Sequence, residues 1–469
     1  MPFLRALVFL SLPALICVSQ AGAEDGAAAS LQIRGQGWTQ MGRVMHVTDT
    51  LGGTSPGVNL NGNWQQSSGA QFTAVTTIGD NLEGALGFGG YQVYHSEGNA
   101  KQQRPMRSIF QNYITEARMT YFQGEKNAPA FSLTFGDFAY NYNPDVKNLG
   151  LYLLRGPVYP GYLMSGFKDF KTDTTKGNIF GARFHHALRN FQQDLIFANE
   201  RDLPPTFDWS VAYVAKYKVV KGVELGGGVN FYRLIPNDSK LETVVYDSVS
   251  YSNQGTKLMA MFNADFKRWF PINGMGPHDL KLYGETSILG VENQGSFYND
   301  IWQRIPVMIG FNIPTFGWLD YFSLEVEWYG SKYRNTLDNI GNFNTLCAVN
   351  VATCPASLTS DSPSPLPVSN DKYYHASLDS LGRVAVAGDT LQVKGTRWDV
   401  ENQMSDNWKW SLYAEKTVLG HISFIGQVAN DHFRPRPAAI NNYNESGGLT
   451  EAFSSPKDWY WMFRIGYFF

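Results

Sequence analysis

Beyond residue 23 the chain has no long apolar run. No later stretch reaches the roughly 18 uninterrupted apolar residues that a membrane-spanning helix needs. Mean hydropathy is −0.26, low for a helical membrane protein. Charge is also sparse: Asp, Glu, Lys and Arg make up 17% of the 469 residues, and the formal net charge is −3. So mild a balance argues for neither nucleic acid nor an anionic partner. There are only three cysteines, and no His/Cys grouping has the spacing of a metal site. No nucleotide-binding motif is present. None of the eight histidines sits in a G-x-S-x-G or H-E-x-x-H context. His185 and His186 are adjacent, so on a strand they point to opposite faces and cannot serve one site. The reading is therefore no enzyme, no cofactor and no metal.

Against these absences stand an aromatic content of 14% and two informative ends. Met1 to Arg5 is a short basic start, 6–18 is apolar, and Ala21-Gly22-Ala23 has the form of a cleavage site. Residues 1–23 read as a secretory signal peptide cut near Ala23, leaving 24–469 as one domain. Losing Arg5 takes the net charge from −3 to −4, and losing Cys17 leaves Cys347 and Cys354. In an oxidising compartment these two are expected to close a small loop as a disulfide.

The rest reads as about sixteen strands, within a range of roughly 14–18, alternating in polarity. The approximate cores are 31–47, 70–79, 82–94, 109–123, 130–138, 178–187, 191–199, 208–219, 223–234, 256–268, 279–290, 303–313, 320–330, 407–417, 421–430 and 459–469. Connectors after even-numbered segments are short, such as Asp80-Asn81, Val220-Lys221-Gly222 and Leu419-Gly420. Most of the others are longer, the longest being 331–406. Such alternation is expected of a transmembrane antiparallel β-barrel with tight turns on one side and loops on the other. A soluble sandwich gives no reason for it.

Parity then assigns faces. In 320–330, Phe322, Leu324, Val326 and Trp328 oppose Tyr321, Ser323, Glu325 and Glu327. A charge on the lipid side costs roughly 2–4 kcal/mol at the midplane, so the charged sets belong inside. The lumen wall is expected to carry Glu116, Arg118, Arg183, Lys216, Lys257, Lys267, Lys281, Glu285, Glu325, Glu327, Lys409, Glu415 and Arg464, with Asp194 and Glu224 among further acids. The two signs nearly balance, so the list predicts no charge preference. Trp209, Trp269, Trp318, Trp328, Trp408, Trp410, Trp459 and Trp461 fall near strand ends, as interfacial girdles require.

The last segment is Trp459-Tyr460-Trp461-Met462-Phe463-Arg464-Ile465-Gly466-Tyr467-Phe468-Phe469, with one wholly apolar parity. An exposed apolar edge of this kind is a liability in water but is what a barrel in lipid needs. The segment resembles the C-terminal signal of bacterial outer-membrane barrel proteins, with Arg464 where that pattern often has glycine. The connector after the fifth segment runs from Phe138 to about Gly177 and is rich in leucine and tyrosine, which a solvent-exposed loop does not need. In strand count and in the place of this connector the chain resembles the sixteen-stranded general porins. In those proteins the loop after the fifth strand folds into the barrel and narrows it.

That resemblance implies a Gram-negative outer-membrane location, small hydrophilic solutes as cargo, contact with outer-membrane lipid, and a homotrimer. If the loop enters, the candidate constriction residues are Tyr140, Tyr142, Asp145, Lys147, Tyr152, Arg155 and Tyr159. Ala85, Gly87, Gly89, Gly226 and Gly228 lie on lumen parity and mark either room for that loop or bends in the wall. Two states of the lumen stay open, a water-filled pore and a plugged barrel. The leading function is a diffusion porin. The alternatives are a structural barrel acting as an adhesin through 331–406, with its Ser362-Pro363-Ser364-Pro365-Leu366-Pro367 stretch, and an outer-membrane lipase or protease.

Overall fold

A strand with one apolar and one polar face is stable only where the two faces meet different environments, and a ring of such strands also leaves no edge unpaired. A computed structural model of the chain describes residues 29–47, 61–95, 107–126, 128–154, 177–200, 207–237, 243–246, 249–252, 254–270, 272–291, 301–328, 383–386, 389–392, 408–433, 453 and 455–469. The signal segment 1–23, Cys347, Cys354, Arg155 and Tyr159 lie outside these residues.

The strands are β1 (Ala29–His46), β2 (Trp64–Ile78), β3 (Leu82–His95), β4 (Arg107–Glu125), β5 (Ala128–Tyr140), β6 (Gly177–Leu188), β7 (Phe191–Asn199), β8 (Trp209–Val220), β9 (Val223–Ile235), β10 (Thr243–Tyr246), β11 (Val249–Ser252), β12 (Gly255–Asp265), β13 (Lys281–Ile288), β14 (Val307–Asn312), β15 (Tyr321–Trp328), β16 (Arg383–Val386), β17 (Asp389–Gln392), β18 (Trp408–Val418), β19 (Ile422–Asn430) and β20 (Trp459–Phe468). Sixteen of them close an antiparallel barrel in the order β1 to β9, β12 to β15, β18 to β20. The ring is sealed by β20 on β1, from Gln36 opposite Phe468 to His46 opposite Trp459. Gly35 and Phe469 exchange both backbone hydrogen bonds, at 2.9 and 3.0 Å. The Phe469 ring lies where a side chain on Gly35 would be.

At one rim, strands are joined by the connectors 79–81, 126–127, 189–190, 221–222, 266–280, 313–320 and 419–421. The remaining connectors leave from the other rim and most of them are longer, although 266–280 exceeds the one between β7 and β8. Burial alternates along the strands. Leu86, Phe88, Met119, Phe135, Leu225, Leu258, Ile309, Leu324 and Phe463 are exposed on the outer face, while Ser323, Glu325, Glu327, Lys409 and Arg464 are buried inside. A belt of exposed apolar side chains this extensive is the surface a bilayer covers. On β4 the parity changes at Thr115, where the register steps from Ile114 opposite Phe88 to Glu116 opposite Gly87. This bulge turns Ile114 outward and Glu116 inward.

Several boundaries differ from the sequence reading. The strand expected over 70–79 begins at Trp64. The strand expected over 256–268 stops at Asp265, and Phe266–Arg268 forms a 3-10 turn. Lys267 is therefore on the rim rather than the wall; its ammonium donates to the carbonyls of Pro277 and Asp279 and pairs with Asp265. The strand expected over 303–313 begins only at Val307, because Pro306 has no N–H for the ladder and Ile301–Arg304 is a second 3-10 turn. The region 331–406 is not simply a connector, since β16 and β17 pair within it as a separate two-stranded ribbon. β10 and β11 form another.

Candidate functional site

The connector after β5 turns into the barrel. Residues 141–154 are described, and Tyr142, Asn143, Val146, Leu149, Tyr152, Leu153 and Leu154 are buried. In the ring, β5 stands fifth and β15 thirteenth of sixteen, so they face each other across the lumen. The segment reaches that far wall. The Glu325 carboxylate on β15 accepts the backbone N–H groups of Lys147 at 2.6 Å, Asn148 at 2.8 Å and Leu149 at 2.7 Å. Tyr283 on β13 donates its hydroxyl to the same carboxylate at 3.0 Å. Glu285, also on β13, accepts the N–H groups of Leu151 at 3.1 Å and Tyr152 at 2.7 Å, and the Tyr142 hydroxyl at 2.5 Å.

Backbone polar groups removed from water need partners, and a run of N–H groups that turns through a left-handed residue makes a concave anion site. Here Gly150 and Leu151 have φ of 83° and 63°. The anions are the wall's own carboxylates. Hydrogen bonds to a charged group contribute about 1.5–3 kcal/mol each, so the two carboxylates hold the segment at two successive points.

The tyrosines complete the attachment. Tyr152 donates to Glu327 at 2.7 Å, and His432 approaches the other Glu327 oxygen at 2.6 Å. Tyr142 also accepts the Leu153 N–H at 3.0 Å. Burial first, and then the adjoining carboxylates, push the Tyr142 and Tyr152 hydroxyls well above their ordinary range, so both remain donors. At the β5 end, Tyr140 donates to Asp194 at 2.9 Å, beneath the Arg183 guanidinium. Asp194 also holds Arg183 and His185, each at 2.8 Å. Asp145 is bridged by Lys281 at 2.8 Å. The Lys147 ammonium stands 3.5 Å from the centre of the Tyr321 ring, with His278 stacked on that ring at 3.9 Å.

Apolar contacts seat the same segment. Leu153 presses against Gly228 on β9, where an added Cβ would lie 2.7 Å from its Cδ2. Of the two readings of that glycine, room for the loop is the one the geometry supports. Gly87 differs, since a Cβ there would meet Thr115 and Thr73 of the neighbouring strands. Asn230 donates to the Leu153 carbonyl at 3.1 Å, and Lys216 reaches the Tyr142 carbonyl at 3.4 Å.

The remaining wall residues fall into local groups. Arg118 pairs with Glu83 at 2.7 Å and Glu116 at 3.1 Å, and Lys126 joins Glu83. Lys216 lies 3.9 Å from Glu224. Tyr413 donates to Glu415 at 2.9 Å. Arg464 lies over Trp38, 5.3 Å from the ring centre. Lys257 is buried on β12 opposite Asn230. Lys409 donates to the Phe453 carbonyl at 2.9 Å. Phe453 belongs to a second inward group, stacked with Phe433 and Tyr460 beside Val44, Val47 and Ala429.

Sequence reasoning named Glu285, Glu325 and Glu327 as wall groups and Tyr140, Tyr142 and Tyr152 as loop groups, without joining them. It missed Asn148, which donates to Asp431 at 2.6 Å, and the partners Asn230, Asp431 and His432. The lumen parity of Tyr283 and Tyr460 was an available signal; for Asp431 and His432, at the end of β19, there was none.

No protein-family model matches the chain, and no curated protein sequence matches it. Among solved structures it is similar to a mutant of Rh. blastica porin, at 8% identity over 94% of this chain and 100% of that one, with a TM-score of 0.38. It is also similar to Salmonella typhi OmpF in complex with daunomycin, at 10% identity over 94% and 97%, with a TM-score of 0.43. A third is the high-pH structure of Pseudomonas putida OprB, at 10% identity over 94% of each chain, with a TM-score of 0.45.

Proposed function

We propose that this chain is an outer-membrane porin, exported by its 1–23 leader, through which small hydrophilic solutes or ions diffuse passively. The observation that carries this reading is the arrangement of the infolded segment. It crosses from β5 to the opposite wall, yet charged lumen side chains on both flanks keep contact with water. On one side these are Glu116 and Arg118, and on the other Arg183, Lys216 and Glu224. That is the layout of a narrowed passage, in which diameter, lining charges and hydrogen-bonding groups set what crosses. Tyr140, Tyr142 and Tyr152 act here as fastenings, and Asp145, Lys147 and Lys281 as groups beside the passage. No chemical step is involved.

A second reading, a plugged structural barrel acting through its outer connectors, is favoured by the inward group Phe433, Phe453 and Tyr460 at the mouth. The two are separated by refolding residues 24–469 into a planar bilayer. Stable ohmic current steps are expected. Silence from a barrel shown to be folded would favour the second reading.

A further inference from the structure

We infer that the passage prefers anions to cations, its cargo being small inorganic and carboxylate anions. This rests on the channel reading and adds its charge selectivity. The wall's acids and bases nearly balance in number, so the preference comes from which of them still meet water.

The acids have mostly turned into the protein. Glu327 is 0% exposed, Glu325 1%, Glu285 3% and Asp194 6%. Their oxygens are occupied by the amides of 147–149, 151 and 152, by the hydroxyls of Tyr140, Tyr142, Tyr152 and Tyr283, and by Arg183, His185 and His432. A carboxylate so engaged has no oxygen to offer a passing cation, and the N–H and O–H dipoles aimed at it counter its charge.

Of the wall bases, Lys257, Lys409 and Arg464 are buried as well, but the others keep contact with water. The side chains of Arg183, Arg118, Lys281 and Lys216 are 28%, 20%, 20% and 17% exposed. Lys147 is half-buried on the infolded segment itself. Among the described wall residues, the acids that stay in contact with water are Glu116, Glu224 and Glu415. They are outnumbered by the five bases Arg118, Arg183, Lys216, Lys281 and Lys147. The rim pair Asp265 and Lys267 cancels. An ion in a narrow aqueous passage responds chiefly to charges within a few ångströms, because salt and water screen the rest. The groups it meets first are therefore ammonium and guanidinium.

The test is the reversal potential of the refolded mature protein in a planar bilayer under a potassium chloride gradient. Chloride is expected to be more permeant than potassium. In the K147Q/K216Q double variant the reversal potential should shift toward potassium, and the backbone bond from residue 147 to Glu325 does not depend on the side chain removed. Current steps with no chloride preference, or with potassium preferred, would overturn the inference and leave the channel reading standing. A chloride preference unchanged in the double variant would overturn its assignment to these residues. A folded barrel that passes no current would overturn the channel reading and this inference with it.

Discussion

Glu325 and Asn148 meet across the full width of the barrel. The carboxylate belongs to β15, the amide to a segment launched from β5 on the opposite wall, and they are 2.8 Å apart. With Lys147 and Leu149 on the same carboxylate, this contact is the far anchor of the infolded segment.

Replacing that carboxylate should release the anchor without emptying the site. In E325Q one oxygen becomes an NH2 group facing N–H donors, so at least one buried amide loses its acceptor, at a cost of about 1–3 kcal/mol. Amide hydrogen exchange over 147–149 should speed up and the single-channel current should become noisier. Exchange and current both as in the wild type would show that the carboxylate does not hold the segment.

The two tyrosines of the segment should differ in cost. Tyr142 donates to Glu285 and accepts from Leu153, whereas the Tyr152 hydroxyl makes only the bond to Glu327 among its described contacts. Y142F should therefore lower the urea midpoint more than Y152F, each bond to a carboxylate contributing about 1.5–3 kcal/mol. A larger loss for Y152F would reverse this ranking.

Gly228 and Leu153 should be coupled. A methyl at 228 would lie 2.7 Å from the Leu153 side chain and 3.0 Å from the Tyr213 carbonyl, an overpacking worth about 1–3 kcal/mol. L153A alone removes a fully buried side chain and should cost about 2–5 kcal/mol. The double variant should lose less than the two losses added, since the smaller residue removes the clash. Simple additivity in urea unfolding would mean that the two do not press on each other.

Acid should weaken the rim at Asp320. Burial pushes this carboxyl up, but the Thr417 amide at 2.6 Å and the Lys416 ammonium at 3.2 Å outweigh it and hold it below its ordinary 3.8. A depressed folded value means that the unfolded chain takes up the proton first, so the contribution is complete above 3.8 and is lost as pH falls through the lowered value. D320N should be less stable at neutral pH, and its deficit should shrink as the solution is acidified below that point. A deficit that is constant with pH would remove the ion pair from the explanation.

What the sequence by itself determined is the wall. Alternation in segments such as 279–290 and 320–330 placed Leu324 outward and Glu325 inward, and the spacing of short turns gave the strand order and the rim to which each connector belongs. These are local properties: a strand has period two, and lipid tolerates charge on only one face. Only the tertiary structure decided how the lumen is filled. No periodicity links the amides of 147–149 to Glu325 or Tyr152 to Glu327, because those partners are far apart in the chain and meet only once the ring has closed. The bulge at Thr115 and the early end of β12 at Asp265 have the same origin, being set by register against neighbouring strands. Which charges face water was likewise settled in three dimensions: the infolded backbone binds Glu285 and Glu325, while Arg118 and Arg183 keep contact with water.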